Sequence, residues 1–108
     1  MPEMNAVREG LLAKRDELEE RLRRIDRDLR KREEPMSADF AEQVVEQENL
    51  DVLYSLEAEG RMELVRIKRA LERIDSDEYT ICSHCGKPIA AARLEAIPYA
   101  DTCIGCAD

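Results

Sequence analysis

The sequence predicts a mainly α-helical protein, in which a long antiparallel two-helix coiled-coil hairpin is followed by a small four-cysteine zinc finger. Two long apolar patterns of helical period predict the hairpin, and two CxxC pairs near the end predict the metal site. The 108 residues are 39% charged and include four aromatic side chains. This composition is poorly suited to a thick globular core, so it favours amphipathic helices and a metal-stabilised module over an enzyme with a buried pocket.

The first predicted helix covers about residues 5–33. Its apolar residues recur at gaps of 4, 7, 4, 3 and 4, which places them on one face of the helix. They are Val7, Leu11, Leu18, Leu22, Ile25 and Leu29. Pro35 cannot continue a helix, so we expect a turn over residues 34–38.

The second predicted helix covers about residues 39–75. The residues of its apolar face are Leu53, Leu56, Gly60, Leu64, Ile67, Leu71 and Ile74. Gly60 either lets the two helices approach closely or is only a weak point of the helix. Two such helices joined by a short turn form an antiparallel hairpin. Because the composition changes after this helix, we divide the chain into a hairpin domain, 1–77, and a finger domain, 78–108.

The net charge of −8 arises almost entirely from one segment of the chain. Residues 35–60 contain no lysine or arginine and seven acidic residues, Asp39, Glu42, Glu46, Glu48, Asp51, Glu57 and Glu59. These carboxylates either form ion pairs across the hairpin with Arg27, Arg30, Lys31 and Arg32 or contact a partner. An acidic chain lacks the basic surface that grips duplex DNA, so we expect no sequence-specific DNA binding.

Cys82, Cys85, Cys103 and Cys106 form two CxxC pairs separated by 17 residues. The two-residue spacing lets both sulfurs of a pair turn toward one ion, and four thiolates are a donor set of structural Zn²⁺. Gly86 can adopt the positive φ that such a turn requires. We therefore expect one structural zinc ion with no open position for catalysis. A disulfide framework and a redox or iron–sulfur role are the alternatives.

A short helix is predicted over residues 90–96, closed by Pro98. The sequence shows no signal-peptide core and no apolar stretch near the roughly 20 residues that span a bilayer. We therefore expect a cytoplasmic protein with no membrane partner, in which the thiols stay reduced. The sequence also offers no nucleophile–base pair and no phosphate-binding loop, so we expect no enzymatic activity.

The segment from Cys82 to Cys106 resembles the finger of the DksA/TraR family of bacterial transcription regulators. The shared residues are the cysteine quartet, Gly86, Ile89, Arg93 to Ala96, Pro98, Ala100, Asp101 and Ile104. The resemblance covers roughly residues 36–106. It implies that the hairpin enters the secondary channel of RNA polymerase, that the finger and hairpin base hold the channel rim, and that open-complex stability changes at promoters.

The family's tip pattern, Asp-x-x-Asp-x-Ala, corresponds here to Asp39, Glu42 and Val44. The resemblance implies that Asp39 and Glu42 approach the polymerase active centre. The same two residues also form a D-x-x-E capping box, so helix capping is the alternative role for their carboxylates.

Regulators of this family often act together with guanosine tetraphosphate, the alarmone of the stringent response. The resemblance points to Arg66 and Arg93 as contacts with the polymerase or the alarmone. Ile97 and Ala107 stand where further basic residues are expected. Because phosphate groups need converging cations, we expect at most weak alarmone dependence.

Two other functions are open to a chain of this kind. One is a zinc-stapled coiled-coil interaction module that does not act on polymerase. The other is a nucleic-acid-binding finger, which is disfavoured because Lys87 and Arg93 are the only basic residues after Arg73. We expect the chain to be a monomer.

Overall fold

The computed structural model describes residues 3–31 and 40–107, with the side chains of residues 40–46 left out of the description. These parts contain α1 (Met4–Lys31), α2 (Phe40–Asp75) and α3 (Ala91–Ala96). The two long helices pack against each other, and the four-cysteine segment follows them. This arrangement confirms the predicted fold class. The predicted turn, residues 34–38, lies outside the described residues.

The contacts between α1 and α2 give the direction of the hairpin. The Lys68 ammonium lies 3.9 Å from the carboxylate of Glu19, and a Cβ atom placed on Gly60 would lie 2.9 Å from Leu22 Cδ2. Positions later in α1 therefore contact positions earlier in α2, which shows that the helices are antiparallel. The described residues extend over 58 × 27 × 19 Å.

One hydrophobic core runs from the hairpin into the finger without a break. Its buried members are Leu11, Leu18, Ile67, Ala70, Ile74, Tyr79, Cys82, Ile89, Leu94 and Ala100. The finger therefore packs on the base of the hairpin, where α1 begins and α2 ends.

The predicted apolar face of α2 is wrong at Leu56, which is 46% exposed. Ile74 follows Leu56 by 18 residues, which is five full helical turns, so both lie on the same line of the helix. Ile74 is only 6% exposed and belongs to the core cluster that the finger completes. Leu56 and Ile74 both lie at the edge of the contact with α1. Ile74 is buried because the finger also covers it, whereas the finger does not reach Leu56.

Helix α2 ends in a Schellman motif at the junction with the finger. Asp77 has φ of +58°, a left-handed conformation that Asp tolerates better than most residues. The N–H of Glu78 donates to the carbonyl of Arg73 at 2.8 Å, and the N–H of Asp77 donates to that of Ile74 at 3.3 Å. These bonds stop the helix and redirect the chain. We propose the domain division near residue 77 on this basis.

Ion pairs on the hairpin surface mostly connect residues of one helix. Arg30 pairs with Asp26 at 3.1 Å and Arg27 with Glu20 at 3.8 Å. Among the side chains that the structure describes, no ion pair joins the acidic segment 47–60 to α1.

Within residues 3–31 and 40–107, none of the helices has the length and hydropathy of a membrane span.

Candidate functional site

The four cysteine sulfur atoms lie close enough together to bind one metal ion. All four lie within 4.8 Å of one another, and the sulfurs of Cys85 and Cys103 are 3.7 Å apart. Zinc–sulfur bonds of about 2.3 Å in a tetrahedron place two sulfurs about 3.8 Å apart. The spacing therefore fits the expected Zn(Cys)4 site.

The first CxxC pair is shaped by a tight turn. Gly86 has φ of +76°, which confirms the positive φ expected from the sequence, and its N–H donates to the carbonyl of Cys82 at 3.0 Å. The N–H of Cys85 points at the sulfur of Cys82 at 3.5 Å. Backbone donors of this kind stabilise a thiolate or a metal-bound sulfur.

The second CxxC pair repeats the turn and is tied to the first. The N–H groups of Cys106 and Ala107 both donate to the carbonyl of Cys103 at 3.0 Å. The N–H of Ser83 donates to the carbonyl of Asp101 at 2.8 Å, which joins the two halves of the finger. The four sulfurs therefore lie close together because backbone hydrogen bonds shape each turn and join the two halves of the finger.

The electrostatics of the quartet also favour a bound cation. Backbone N–H groups, first that of Cys85 and then that of Cys103, lower the pKa of the Cys82 thiol to about 6. Hydrogen bonds with the side chains of Cys103 and Cys85 raise the pKa of the Cys106 thiol to about 12. Four sulfurs at this distance cannot all ionise unless a cation offsets their charge, and zinc binding displaces the remaining protons. The thiols present therefore fit zinc.

Two side chains that the sequence did not single out order the finger and its junction with the hairpin. The guanidinium of Arg73 donates to the carbonyl of Glu78 at 2.8 Å and also to that of Ile81. The hydroxyl of Tyr79 donates to the carbonyl of Pro98 at 2.7 Å, and burial raises the pKa of its phenol. Tyr79 could have been noticed as a rare aromatic just after the helix, whereas nothing in the sequence distinguishes Arg73.

A cleft of about 420 Å³ lies between α2 and the finger. Its lining residues are Arg66, Arg93, Ile97, Tyr99, Ala100, Asp101, Thr102, Cys106 and Ala107. Arg66 and Arg93, the two arginines that the resemblance suggested, thus line the same cleft. Ile97 and Ala107, where further basic residues were expected, line it as well. Nε of Arg93 donates to the carbonyl of Thr102 at 2.8 Å, which fixes this guanidinium at the cleft wall.

The predicted acidic tip can be located only in part. Asp39 lies outside the described residues. Glu42 lies within α2, but its side chain is also outside the description. Glu48, Asp51 and Glu59 are described and exposed on the hairpin surface.

Two family models match the chain, and together they cover most of it. The model described as DnaK suppressor protein-like, N-terminal domain, matches residues 8–74. The model described as prokaryotic dksA/traR C4-type zinc finger matches residues 77–108.

The similar proteins include RNA polymerase-binding transcription factors DksA. That of Haemophilus influenzae is 32% identical over 68 residues, which is 63% of this chain and 47% of that protein. That of Escherichia coli K12 is 39% identical over 41 residues, which is 38% of this chain and 27% of that protein. The matched segments thus span about half or less of these curated relatives.

The fold is also similar to a solved structure, that of transcription factor DksA2 from Pseudomonas aeruginosa. The TM-score is 0.80 at 31% sequence identity, and the match covers 94% of this chain and 78% of that one. The similarity therefore includes both the hairpin and the finger.

Proposed function

This chain belongs to the DnaK suppressor protein-like family with a dksA/traR C4-type zinc finger, and from this premise we propose that it is a bacterial transcription regulator that binds RNA polymerase. The observation that carries the proposal is the structural match to a transcription factor over 94% of the chain at 31% identity. A match of the finger alone would be compatible with many binding functions. A match over hairpin and finger together supports a mechanism shared with that transcription factor.

We propose that one copy of the hairpin enters the secondary channel of polymerase while the finger and hairpin base remain at its rim. The 36 residues of α2 correspond to about 54 Å of helix, which suits a probe that reaches into a channel. The part of α2 far from the finger is acidic, and among the described side chains it forms no ion pair with α1. Carboxylate oxygens are ligands of divalent cations, so an acidic end fits a site that holds metal ions.

In this proposal, Asp39 and Glu42 approach the polymerase active centre and change the stability of the promoter open complex. The bound zinc ion holds the two cysteine turns together and takes no part in chemistry. Arg73 ties the finger to the end of α2, so the distance from the channel rim to the tip is set by this chain.

Guanosine tetraphosphate is a candidate second ligand, contacted by Arg66 and Arg93 together with polymerase. The cleft offers these two cations, and Arg93 already donates to the carbonyl of Thr102. Ile97 and Ala107 line the same cleft and add no charge. Because tight phosphate binding needs several converging cations, we propose that alarmone dependence is weak.

The test is single-turnover transcription with purified polymerase and the zinc-loaded chain. The proposal requires a changed open-complex lifetime, and this change must shrink when a Gre-type channel factor competes. If polymerase neither binds the chain nor changes its kinetics, the alternative of a coiled-coil interaction module is favoured.

Asp39→Asn separates the tip's action from helix capping. Asn caps a helix about as well as Asp, so the variant should keep its helix content and its polymerase binding. We expect it to lose most of the effect on open-complex lifetime because the carboxylate charge is gone. Circular dichroism and a binding assay provide the controls. Full regulation by this variant would leave capping as the role of Asp39.

A further inference from the structure

Helix α2 has a second apolar face on the side away from α1. Tyr54, Met62 and Val65 are 56%, 58% and 49% exposed, and Ala58 between them is exposed as well. These four residues follow one another at gaps of 4, 4 and 3, which places them on one line of the helix. An ordinary surface helix carries charged and polar residues on this side.

The two ends of this face carry opposite charges. Asp51 precedes Tyr54 by three residues, and Arg69 follows Val65 by four, so both continue the same line. Both are exposed, and among the described side chains neither takes part in an ion pair. We call the six residues Asp51, Tyr54, Ala58, Met62, Val65 and Arg69 the outer stripe.

The surrounding charge has the same asymmetry. Residues 47–60 carry four acidic side chains and no basic one, whereas residues 61–73 carry five basic and two acidic side chains. These counts include all faces of α2, among them Lys68, which pairs with Glu19 of α1. On the outer stripe itself, the negative end is Asp51 and the positive end is Arg69. Such a surface is complementary to a copy of itself turned end to end.

We propose that the outer stripe is a self-association surface on which α2 of a second copy packs antiparallel. A two-fold axis near residue 60 places Asp51 beside the partner's Arg69, and by symmetry Arg69 beside the partner's Asp51. The same axis places the small Ala58 against the partner's Met62 and Tyr54 near the partner's Val65. A parallel arrangement would instead place like charges together at both ends of the stripe.

The association is weak and depends on concentration and salt. A stripe of one helix is a narrow interface, at the small end of those that proteins use, and exposed charge pairs are screened by salt. This proposal does not depend on the role in transcription. It differs from the expectation, drawn from the sequence, that the chain is a monomer. The form proposed to act on polymerase is still a single copy.

Sedimentation equilibrium of the full zinc-loaded chain at low and high salt tests the proposal. We expect the average mass to rise toward that of a dimer with concentration, and to fall when salt is added. Val65→Glu should weaken dimerisation by about tenfold or more, because it buries two unpaired charges in the interface. Val52→Glu is the matched control, since Val52 is also exposed, at 57%, but lies on another face of α2.

Charge reversal at the ends of the stripe tests the antiparallel direction. Asp51→Arg alone and Arg69→Asp alone each place like charges opposite one another, so each variant should stay monomeric at concentrations where the wild type dimerises. An equal mixture of the two variants restores both ion pairs and should form heterodimers. Circular dichroism must show unchanged helix content in every variant.

Two results would overturn the proposal. One is a wild-type chain that stays monomeric at low salt and high concentration. The other is an equal loss of dimer in Val65→Glu and Val52→Glu. If the wild type is monomeric and Val65→Glu also loses polymerase binding, the outer stripe is assigned to the polymerase instead.

Discussion

Gly60 lies in the contact between the two long helices. A Cβ atom at this position would lie 2.9 Å from Leu22 Cδ2 and 3.7 Å from Leu18 Cδ1. The sequence left open whether this glycine allows a close approach or only weakens the helix. The structure favours the first role, because the space that a side chain would occupy is already filled by leucine methyl groups.

Substitutions at the two glycines of the hairpin should separate packing from helix propensity. Gly10→Ala should stabilise the protein by about 1 kcal/mol, since a Cβ there meets nothing within 4 Å. Gly60→Ala gains the same propensity but must displace the end of Leu22, so we expect a smaller gain or none. Gly60→Val should cost about 1–3 kcal/mol because the core is overpacked.

Urea denaturation followed by circular dichroism measures these differences in the free energy of unfolding. Gly10→Val is the control for the lower helix propensity of a β-branched residue. If Gly60→Val were as stable as Gly10→Val, close helix contact at Gly60 would be refuted.

Among the elements, directed hydrogen bonds order the finger and attach it to the hairpin. Tyr79, which is buried, spans the finger by donating to the carbonyl of Pro98. Arg73 reaches from the last turn of α2 to the carbonyls of Glu78 and Ile81. The Arg73 bonds therefore cross the junction between hairpin and finger, whereas the Tyr79 bond holds the finger together internally.

Tyr79→Phe should destabilise the finger by about 1 kcal/mol, because the Pro98 carbonyl loses its donor. Burial raises the pKa of the Tyr79 phenol above its ordinary value of 10.0, so the unfolded chain loses this proton first. Wild-type stability should therefore fall as the pH rises past about 10, and Tyr79→Phe should lack this part of the fall.

Thermal unfolding of the two proteins between pH 7 and pH 11 makes the comparison. Tyr54→Phe is the matched control, since Tyr54 is 56% exposed on the outer stripe. Equal losses of stability in the two variants would argue against a specific role for the Tyr79 hydroxyl.

At the scale of the whole molecule, the hairpin and the finger share one core. Ile67, Ala70 and Ile74 of α2 belong to the same cluster as Tyr79, Ile89 and Leu94 of the finger. Zinc therefore supports the finger directly and the hairpin base indirectly, because the finger covers the apolar residues there. The middle of the hairpin depends mainly on contacts between the two helices.

Removing zinc with a strong chelator should unfold residues 79–107 and leave much of the hairpin helical, because a finger this small depends on its metal for folding. Amide hydrogen exchange should speed up in the finger and at the hairpin base, near residues 4–11 and 70–75. Amides in the middle of the hairpin should keep most of their protection.

Mass spectrometry verifies the loss of metal, and added zinc should restore the original exchange rates. Unchanged exchange in the finger after verified removal would show that zinc does not hold this fold together. Uniform loss of protection along both helices would show instead that the hairpin is not stable by itself.

Patterns along the chain were enough to predict the long helices and the metal site. Helix periodicity depends on neighbours within a few turns, and the CxxC spacing limits where the sulfurs can turn, so both can be read along the chain. The resemblance of the finger to a known family was likewise visible in the order of its residues.

Which faces of α2 are covered, and which residues are neighbours across the junction, depends on contacts between distant parts of the chain. Leu56 and Ile74 occupy the same line of the helix, yet only Ile74 is buried, because the finger folds back over that end. The shared cleft of Arg66 and Arg93 and the hydrogen bond from Arg73 to Ile81 have the same origin. Such contacts depend on the path of the whole chain in space, which local patterns do not contain.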